Sequence, residues 1–396
     1  MLLVLPMCPG EDCSAAAALS CFQYFALEHQ GDFDVRWLRG SAPDLIFSPW
    51  AKAIERDGGH ILGGKRVSSL RFPATSTATS TLPTSTSTSS STSSTSSTSS
   101  TRSRSQPIDD KDDKEDSDDR EGSDNDSTKG SEEWRGVRVE TSDGDVFEAD
   151  AVVIAVGITA AKSIIRHSPE LSSIPELRDV MNLRGIDVVA VRLFFKEKVD
   201  MPRAASVAGG GMAHGLETTG ITFYHLNELQ DAYRKQDASV VEVDMYHAKP
   251  LMALGDHDIM KMALDALNQA LPELGAHSDD LQDFAVVRAA QAVTHFYPGA
   301  FQYLPGIRPS PQQLPQLFMC GDWVDRGGHR SWSQEKALVE GRRAAGAICN
   351  YLGLRQGYYP TVLPVEEDEP HIALGRTAMR SAKKAFPDAR DMGFSR

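Results

Sequence analysis

Hydrophobic spacing divides the chain into helical and extended stretches. Residues 14–29 are small or aromatic apolar residues, with Phe22, Tyr24, Phe25 and Leu27 among them, which predicts a helix. A second helix is predicted over 43–56, opened by Pro43 and stopped by Gly58 and Gly59, with short strands over 60–62 and 66–70 after it. Val137 and Val139 then alternate with polar neighbours. Asp143-Gly144 is a hairpin turn, and Val146 and Phe147 form the return strand. The run 151–156 is apolar at every position, the pattern of a strand covered on both faces inside a parallel sheet. Further strands are predicted over 188–195, 221–225, 240–247 and 284–287. A helix is predicted over 258–271, capped by Asp258, with Ile259, Met260, Met262, Leu264 and Leu267 as its apolar face. The last signal is an all-apolar strand, 317–320, followed by a long helix from near Trp332. Together these elements make a mixed α/β architecture.

Composition changes this picture in one region. A chain of 396 residues, 40% hydrophobic and 24% charged, has room for two domains or one large interwoven one. Its net charge is −14, but 109–133 holds 13 acidic residues against four basic ones, leaving about −5 for the rest. The ordered part therefore implies no basic partner and no nucleic-acid surface. Residues 74–105 are almost wholly serine and threonine, and the acidic run follows closely. Neither buries enough apolar surface to offset the entropy of ordering it, so 73–133 is predicted to be a disordered insertion in a surface loop. A glycosylated stalk is the alternative. Against it stand an odd number of cysteines (Cys8, Cys13, Cys21, Cys320 and Cys349) and a first stretch without basic residues ahead of its apolar part. The cysteines fit buried thiols in a reducing compartment. No apolar run reaches the ~20 residues that span a bilayer.

Candidate chemistry lies in "LFMCGDWVDRGGHRSWSQEKALVEGRRAAGAICNYLG", residues 317–353. Asp322 stands just past a strand end, where a carboxylate accepts hydrogen bonds from ribitol or ribose hydroxyls. Ser331 and Gln334 make a capping box, leaving the amides of Ser333, Gln334 and Glu335 at the positive end of a helix. That arrangement suits the pyrimidine edge of a flavin, which becomes anionic on two-electron reduction. A plain strand, loop and helix with a capping aspartate is the equal alternative on spacing alone.

The same residues carry a resemblance. "LFMCGDWV" followed by "SQEKALVEGRRAA" resembles the C-terminal flavin motif of the flavin-containing amine oxidase and carotenoid desaturase superfamily. "DVRWLRGSAPDLIFSPWAKAIERDGGHILGGKRVSSL" resembles the desaturase segment running from substrate domain to flavin domain. "FEADAVVIAVG" resembles a later flavin-domain strand, and Arg308-Pro309 stands where the family often has Arg-Pro. The Ser-Gln-Glu-Lys-Ala and Arg-Trp-x-Arg-Gly patterns are most similar to the zeta-carotene desaturase-like and isorenieratene synthase-like branch. The resemblance implies an incomplete FAD/NAD(P)-binding Rossmann-like domain interleaved with a substrate domain of mixed sheet and helices. Residues 41–72, 134–160 and 305–354 would form the flavin part, 1–40 and 161–304 the substrate part, and 355–396 a tail.

It implies FAD as cofactor, with Asp322 on the ribityl chain and Gln334, Glu335 and Ala337 by the isoalloxazine. Gly321, Trp323 and Ser333 complete the cofactor-binding set, and Trp323, His329 and Trp332 would approach the ring or a substrate channel. Lys336 replaces the small residue of amine oxidases and fits the desaturase branch. The implied reaction is hydride transfer to flavin from an apolar isoprenoid, a carotenoid, in the plastid. No catalytic side chain and no metal are implied.

One family element has no counterpart here. The glycines at 63–64, 209–215 and 327–328 neither follow a buried strand nor open a helix with an acid about 20 residues on, as GxGxxG does. The resemblance therefore implies a chain starting inside the helical part of the substrate domain. A second reading is a truncated, non-catalytic relative acting, if at all, as an interaction module. His225, His247, His295 and His329 fit no metal-ligand spacing, and Ser331 and Ser333 lack the G-x-S-x-G elbow. Phe194, Phe195, Phe223, Tyr224, Phe296, Tyr297, Phe301 and Tyr303 would line a polyene tunnel or pack a core. The stretch 371–386, with Arg376, Arg380, Lys383 and Lys384, reads as a basic amphipathic helix for peripheral membrane contact or as a solvated terminal helix.

Overall fold

Small apolar residues at the amino end form α1 (Ala15–Phe22), whose buried Ala17 and Cys21 share one face. A π-helical turn, Gln23–Glu28, extends it, and another, Pro43–Phe47, leads into α2 (Ser48–Arg56). In this computed structural model the described residues are 4–28, 36–73, 136–209, 211, 214–325, 327, 332–354, 362 and 370–385. The predicted insertion beyond residue 73, with His29, His329 and Ser331, lies outside them. Helix α2 has no buried residue, and Trp50 remains 54% exposed. The strand predicted over 60–62 does not form. A strand needs a neighbour for its backbone groups, and the first paired residue after the Gly63-Gly64 turn is Val67.

Strands β1 (Val67–Arg71), β2 (Val137–Thr141) and β3 (Val146–Ala149) make an antiparallel sheet in that order. Leu70 pairs with Val139, so the segments on either side of the Ser/Thr-rich and acidic stretch are direct neighbours. Strand β4 (Val152–Ile154) is shorter than its apolar run. Behind these strands lie α3 (Ile158–His167), α4 (Pro169–Ser172) and α5 (Pro175–Asp179). Their Ile158, Ile164, Leu171 and Leu177 share one core with Leu70, Val137 and Ile154. That core runs on to Leu183.

The next sheet holds β5 (Arg184–Phe195), β6 (Ala205–Ala208), β7 (Gly220–His225), β8 (Val240–Tyr246) and β9 (Leu281–His295), ordered β6-β7-β8-β5-β9. Every pairing is antiparallel, which corrects the expected mixed sheet. Alternation puts Val189, Val191, Leu193, Val241, Val243 and Phe223 on one face. After the short α6 (Leu226–Leu229), α7 (Asp256–Ala270) seals that face with Ile259, Met260, Leu264 and Leu267. The cap of α7 is Gly255, not Asp258. Asp256 and Asp258 fall in the first turn, where the helix dipole favours them. Strand β9 is much longer than 284–287, because Gln291, at φ +52°, bulges it and breaks the alternation.

Strand β10 (Leu317–Met319) returns to lie parallel with β4, Phe318 opposite Val153. The parallel pairing is as expected, but β4 is not covered on both faces: Val152 and Val153 are only half-buried. The chain continues through α8 (Ser333–Tyr351) to α9 (Pro370–Ala385). A third cluster joins Cys8, Cys13 and Cys21 to Ile186, Phe296 and Trp332 at the start of α8. Cys8, Cys13, Cys320 and Cys349 are free thiols. The described residues belong to one compact unit, Met1–Pro73 with Arg135–Arg396. No helix among them is long and apolar enough to cross a membrane.

Candidate functional site

The pairing of β10 with β4 continues past the strand, because the Cys320 amide donates to the Ile154 carbonyl at 3.2 Å. The chain then turns at Gly321, whose φ of +140° is a conformation side chains rarely adopt. A Cβ there would lie 2.9 Å from the Trp323 indole nitrogen. Trp323 is 1% exposed and donates its indole N–H to the Val156 carbonyl at 2.8 Å, tying the ends of the two strands together. The resemblance implied that Trp323 approaches the flavin ring or a substrate channel; its ring packs in the apolar core, with Leu317 and Ile154.

Asp322 reaches across to β9. Its Oδ2 accepts the Thr294 hydroxyl at 2.7 Å and the Thr294 amide at 3.3 Å. Oδ1 accepts no hydrogen bond from the described residues. Thr294 is buried, and nothing in its sequence surroundings marked it, since its partner is 28 residues away.

Helix α8 starts at Ser333, with Trp332 at the cap position and no side-chain cap; the capping box proposed for Ser331 lies outside the described residues. Ser333 has φ +53°, the left-handed region. The Lys336 amide bonds the Trp332 carbonyl at 3.2 Å, so the amides of Ser333, Gln334 and Glu335 precede the first turn's closure. These three residues are exposed and Ala337 is half-buried. Glu335 accepts the hydroxyl of Tyr24, and desolvation of its carboxyl raises its pKa.

Lys336, by contrast, is 1% exposed, and its Nζ donates to the carbonyls of Asp322 and Val324. One turn on, the carboxylate of Glu340, fully buried, accepts Arg343 Nη1 at 3.0 and 3.3 Å. Burial raises the Glu340 pKa, opposed by Arg343 and Lys336. Cys320 is also raised, by burial first and then by Glu340.

Asp322, Thr294, Trp332, Ser333 and Lys336 line a cleft with Met7, of about 20 Å³. That is room for a water molecule. As chemistry, a carboxylate oxygen that accepts no bond from the described residues suits ribityl hydroxyls, and helix-start amides suit the pyrimidine acceptors of a flavin. Of the expected set, Asp322 and Ser333 share this cleft, Gln334, Glu335 and Ala337 follow on α8, and Trp323 packs against Gly321.

The other candidates separate. Phe195 and Phe223 are sealed under α7, while Phe296 stacks on Phe301 at 5.3 Å in the amino-terminal cluster. Tyr297 bonds the Asn182 carbonyl at 2.7 Å, and Tyr224 packs on Trp37. These aromatics do not form one lining. His225 bonds Ser239 at 3.3 Å and His295 bonds the Asp12 carbonyl at 3.0 Å, and burial lowers both pKa values. No group of described residues is suited to a metal.

The face of the large sheet away from α7 carries a polar layer that the sequence reading passed over. Thr222 lies opposite Asp244, and Tyr224 opposite Glu242. Arg192 bonds Glu242, and Thr222 bonds the Tyr246 hydroxyl at 3.0 Å. Burial, then Glu242, pushes the Asp244 carboxyl up to about 7, against the pull of Arg192.

The sequence profile of flavin containing amine oxidoreductases matches residues 128–349. No curated protein matches the chain significantly. Among solved structures, reduced UDP-galactopyranose mutase is similar at 10% identity and TM-score 0.40, over 56% of this chain and 45% of that one. Cyclohexylamine oxidase from Brevibacterium oxydans IH-35A is similar at 14% identity and TM-score 0.37, over 55% and 46%. The chain spans less than half the length of these structures.

Proposed function

The chain belongs to the flavin containing amine oxidoreductase family, and from that premise we propose that it is an FAD-dependent oxidoreductase whose flavin is held at the β10–α8 junction. The observation that carries this reading is Asp322. Thr294 fixes one oxygen of its carboxylate, and the other accepts no hydrogen bond from the described residues. Asp322 and Gly321 would hold the ribityl chain, with Ser333, Gln334, Glu335 and Ala337 beside the ring system. Bound FAD supplies a two-electron acceptor. The protein's part is to position it, and the amino end of α8 favours negative charge there.

For the substrate, the motif's likeness to the desaturase branch supports an apolar isoprenoid of carotenoid type. A polyene delocalises developing positive charge and needs little acid–base help from the protein. On this reading the plastid is the compartment, and the exposed α9 is a candidate contact for an anionic membrane. The Asp244 layer favours a second reading, a substrate bearing an amine or hydroxyl. Anaerobic mixing of the flavin-loaded protein with a linear carotene or a primary alkylamine distinguishes the two. Bleaching of the flavin band by the carotene supports the first, and bleaching by the amine alone replaces it with the second. A protein that takes up no flavin removes both.

A further inference from the structure

Lysine is among the side chains least often buried, and Lys336 is almost wholly so. Taking an ammonium out of water is costly unless it is compensated. Here it donates to two main-chain carbonyls, those of Asp322 and Val324, which flank the buried Trp323. The helix grips the same loop again two turns later. Arg343, held by Glu340, packs against Gly327, where a Cβ would lie 2.4 Å from its Nη2 and where φ is +54°. Glu340 lies between the two cations and is drawn on by both. One face of α8 therefore meets the loop twice, Lys336 at 322–324 and Arg343 at 327.

We propose that Lys336 is a positioning residue, fixing the loop after β10 so that Asp322 meets Thr294 and aims its second oxygen at the flavin. Neither part of this follows from family membership, and the flavin part rests on the reading in the preceding subsection. A lysine that merely filled space would be replaceable by methionine, which keeps the length and loses the two donors. Lys336→Arg keeps a charged donor, although its fork must fit the same two carbonyls.

The test compares wild type, Lys336→Met and Lys336→Arg of the full chain by amide hydrogen exchange and by FAD titration, with thermal unfolding run alongside. In Lys336→Met, exchange at 321–325 and at the Thr294 amide should rise at least tenfold while β7 and β8 stay protected. Flavin affinity should fall by a similar factor, and Lys336→Arg should recover part of both. Unchanged exchange at Thr294 in a folded Lys336→Met overturns the proposal, as does faster exchange with undiminished flavin affinity. If Lys336→Met does not fold, Glu340→Gln, which removes the buried counter-charge, is read for the same exchange pattern and by the same criteria. If wild type takes up no FAD, the flavin reading fails, and the exchange result alone decides whether Lys336 fixes the loop.

Discussion

The five-stranded sheet and the β4–β10 pair are held in different ways. In the sheet, β5 matches β8 continuously from Val188↔Tyr246 to Phe194↔Val240, and α7 covers the apolar face. Many interchangeable contacts share the load. The β4–β10 pair has three residues a strand. Beside it lies a cavity of about 540 Å³, lined by Val67, Leu70, Val139, Val153 and Ile164 among others. Its strand ends are joined through single groups: the Trp323 indole, the Cys320 amide and, in the loop beyond, Lys336. The candidate cofactor site rides on this second, sparsely fastened region. Single substitutions should therefore be felt locally there and diffusely in the sheet.

The largest effect expected is at Trp323. Trp323→Ala removes a fully buried ring and the bond to Val156, and should cost about 3–5 kcal/mol in urea unfolding. Leu193→Ala in the sheet should cost about 2–5 kcal/mol, without raising hydrogen exchange at 321–325. If Trp323→Ala costs less than about 1 kcal/mol, the contrast between the regions is wrong.

Next comes Asp244, whose carboxyl titrates near 3.8 when unfolded and about 7 when folded. Between those values the folded state binds the extra proton, so this group's contribution falls as pH rises from about 4 through about 7. Asp244→Asn should flatten that dependence and leave the protein roughly 2–4 kcal/mol more stable than wild type at pH 8. A wild-type stability profile as flat as the variant's between pH 5 and 8 would remove the polar layer from consideration.

Thr294→Val deletes the hydroxyl bond to Asp322 and retains the amide, so about 1–2 kcal/mol should be lost in the same unfolding measurement. The smallest effect is expected at the Ser/Thr-rich and acidic stretch. Replacing 74–131 by a short Gly-Ser turn should shift stability by about 1 kcal/mol or less, since closure entropy varies only logarithmically with loop length. A larger loss would mean that the stretch packs on something.

What sequence reading reached, and what it missed, follows the same division. The spacing of Ile259, Met260, Leu264 and Leu267 marks α7, and alternation marks β5, β7 and β8, because those signals are local. The strands missed or shortened, β6 and β9, lack that signal: β6 is four small residues at the sheet edge, and β9 is bulged at Gln291. At the junction, Asp322 and the helix start were legible from Gly-Asp after an apolar strand. The burial of Trp323 was not legible, because its direction depends on the φ of Gly321, which a glycine in sequence does not disclose. Thr294 was missed, and the burial of Lys336 was not foreseen, for a related reason. Their partners come from other elements, and a lone threonine or a lysine early in a helix reads as surface.

The most direct test of the account is the flavin content of Asp322→Ala beside wild type, measured by absorbance of the flavin released from the folded full chain. Wild type should bind FAD, and Asp322→Ala, still folded, should lose at least nine-tenths of it, since one carboxylate–hydroxyl contact and the loop it organises are removed together. Equal flavin in the two proteins would contradict this.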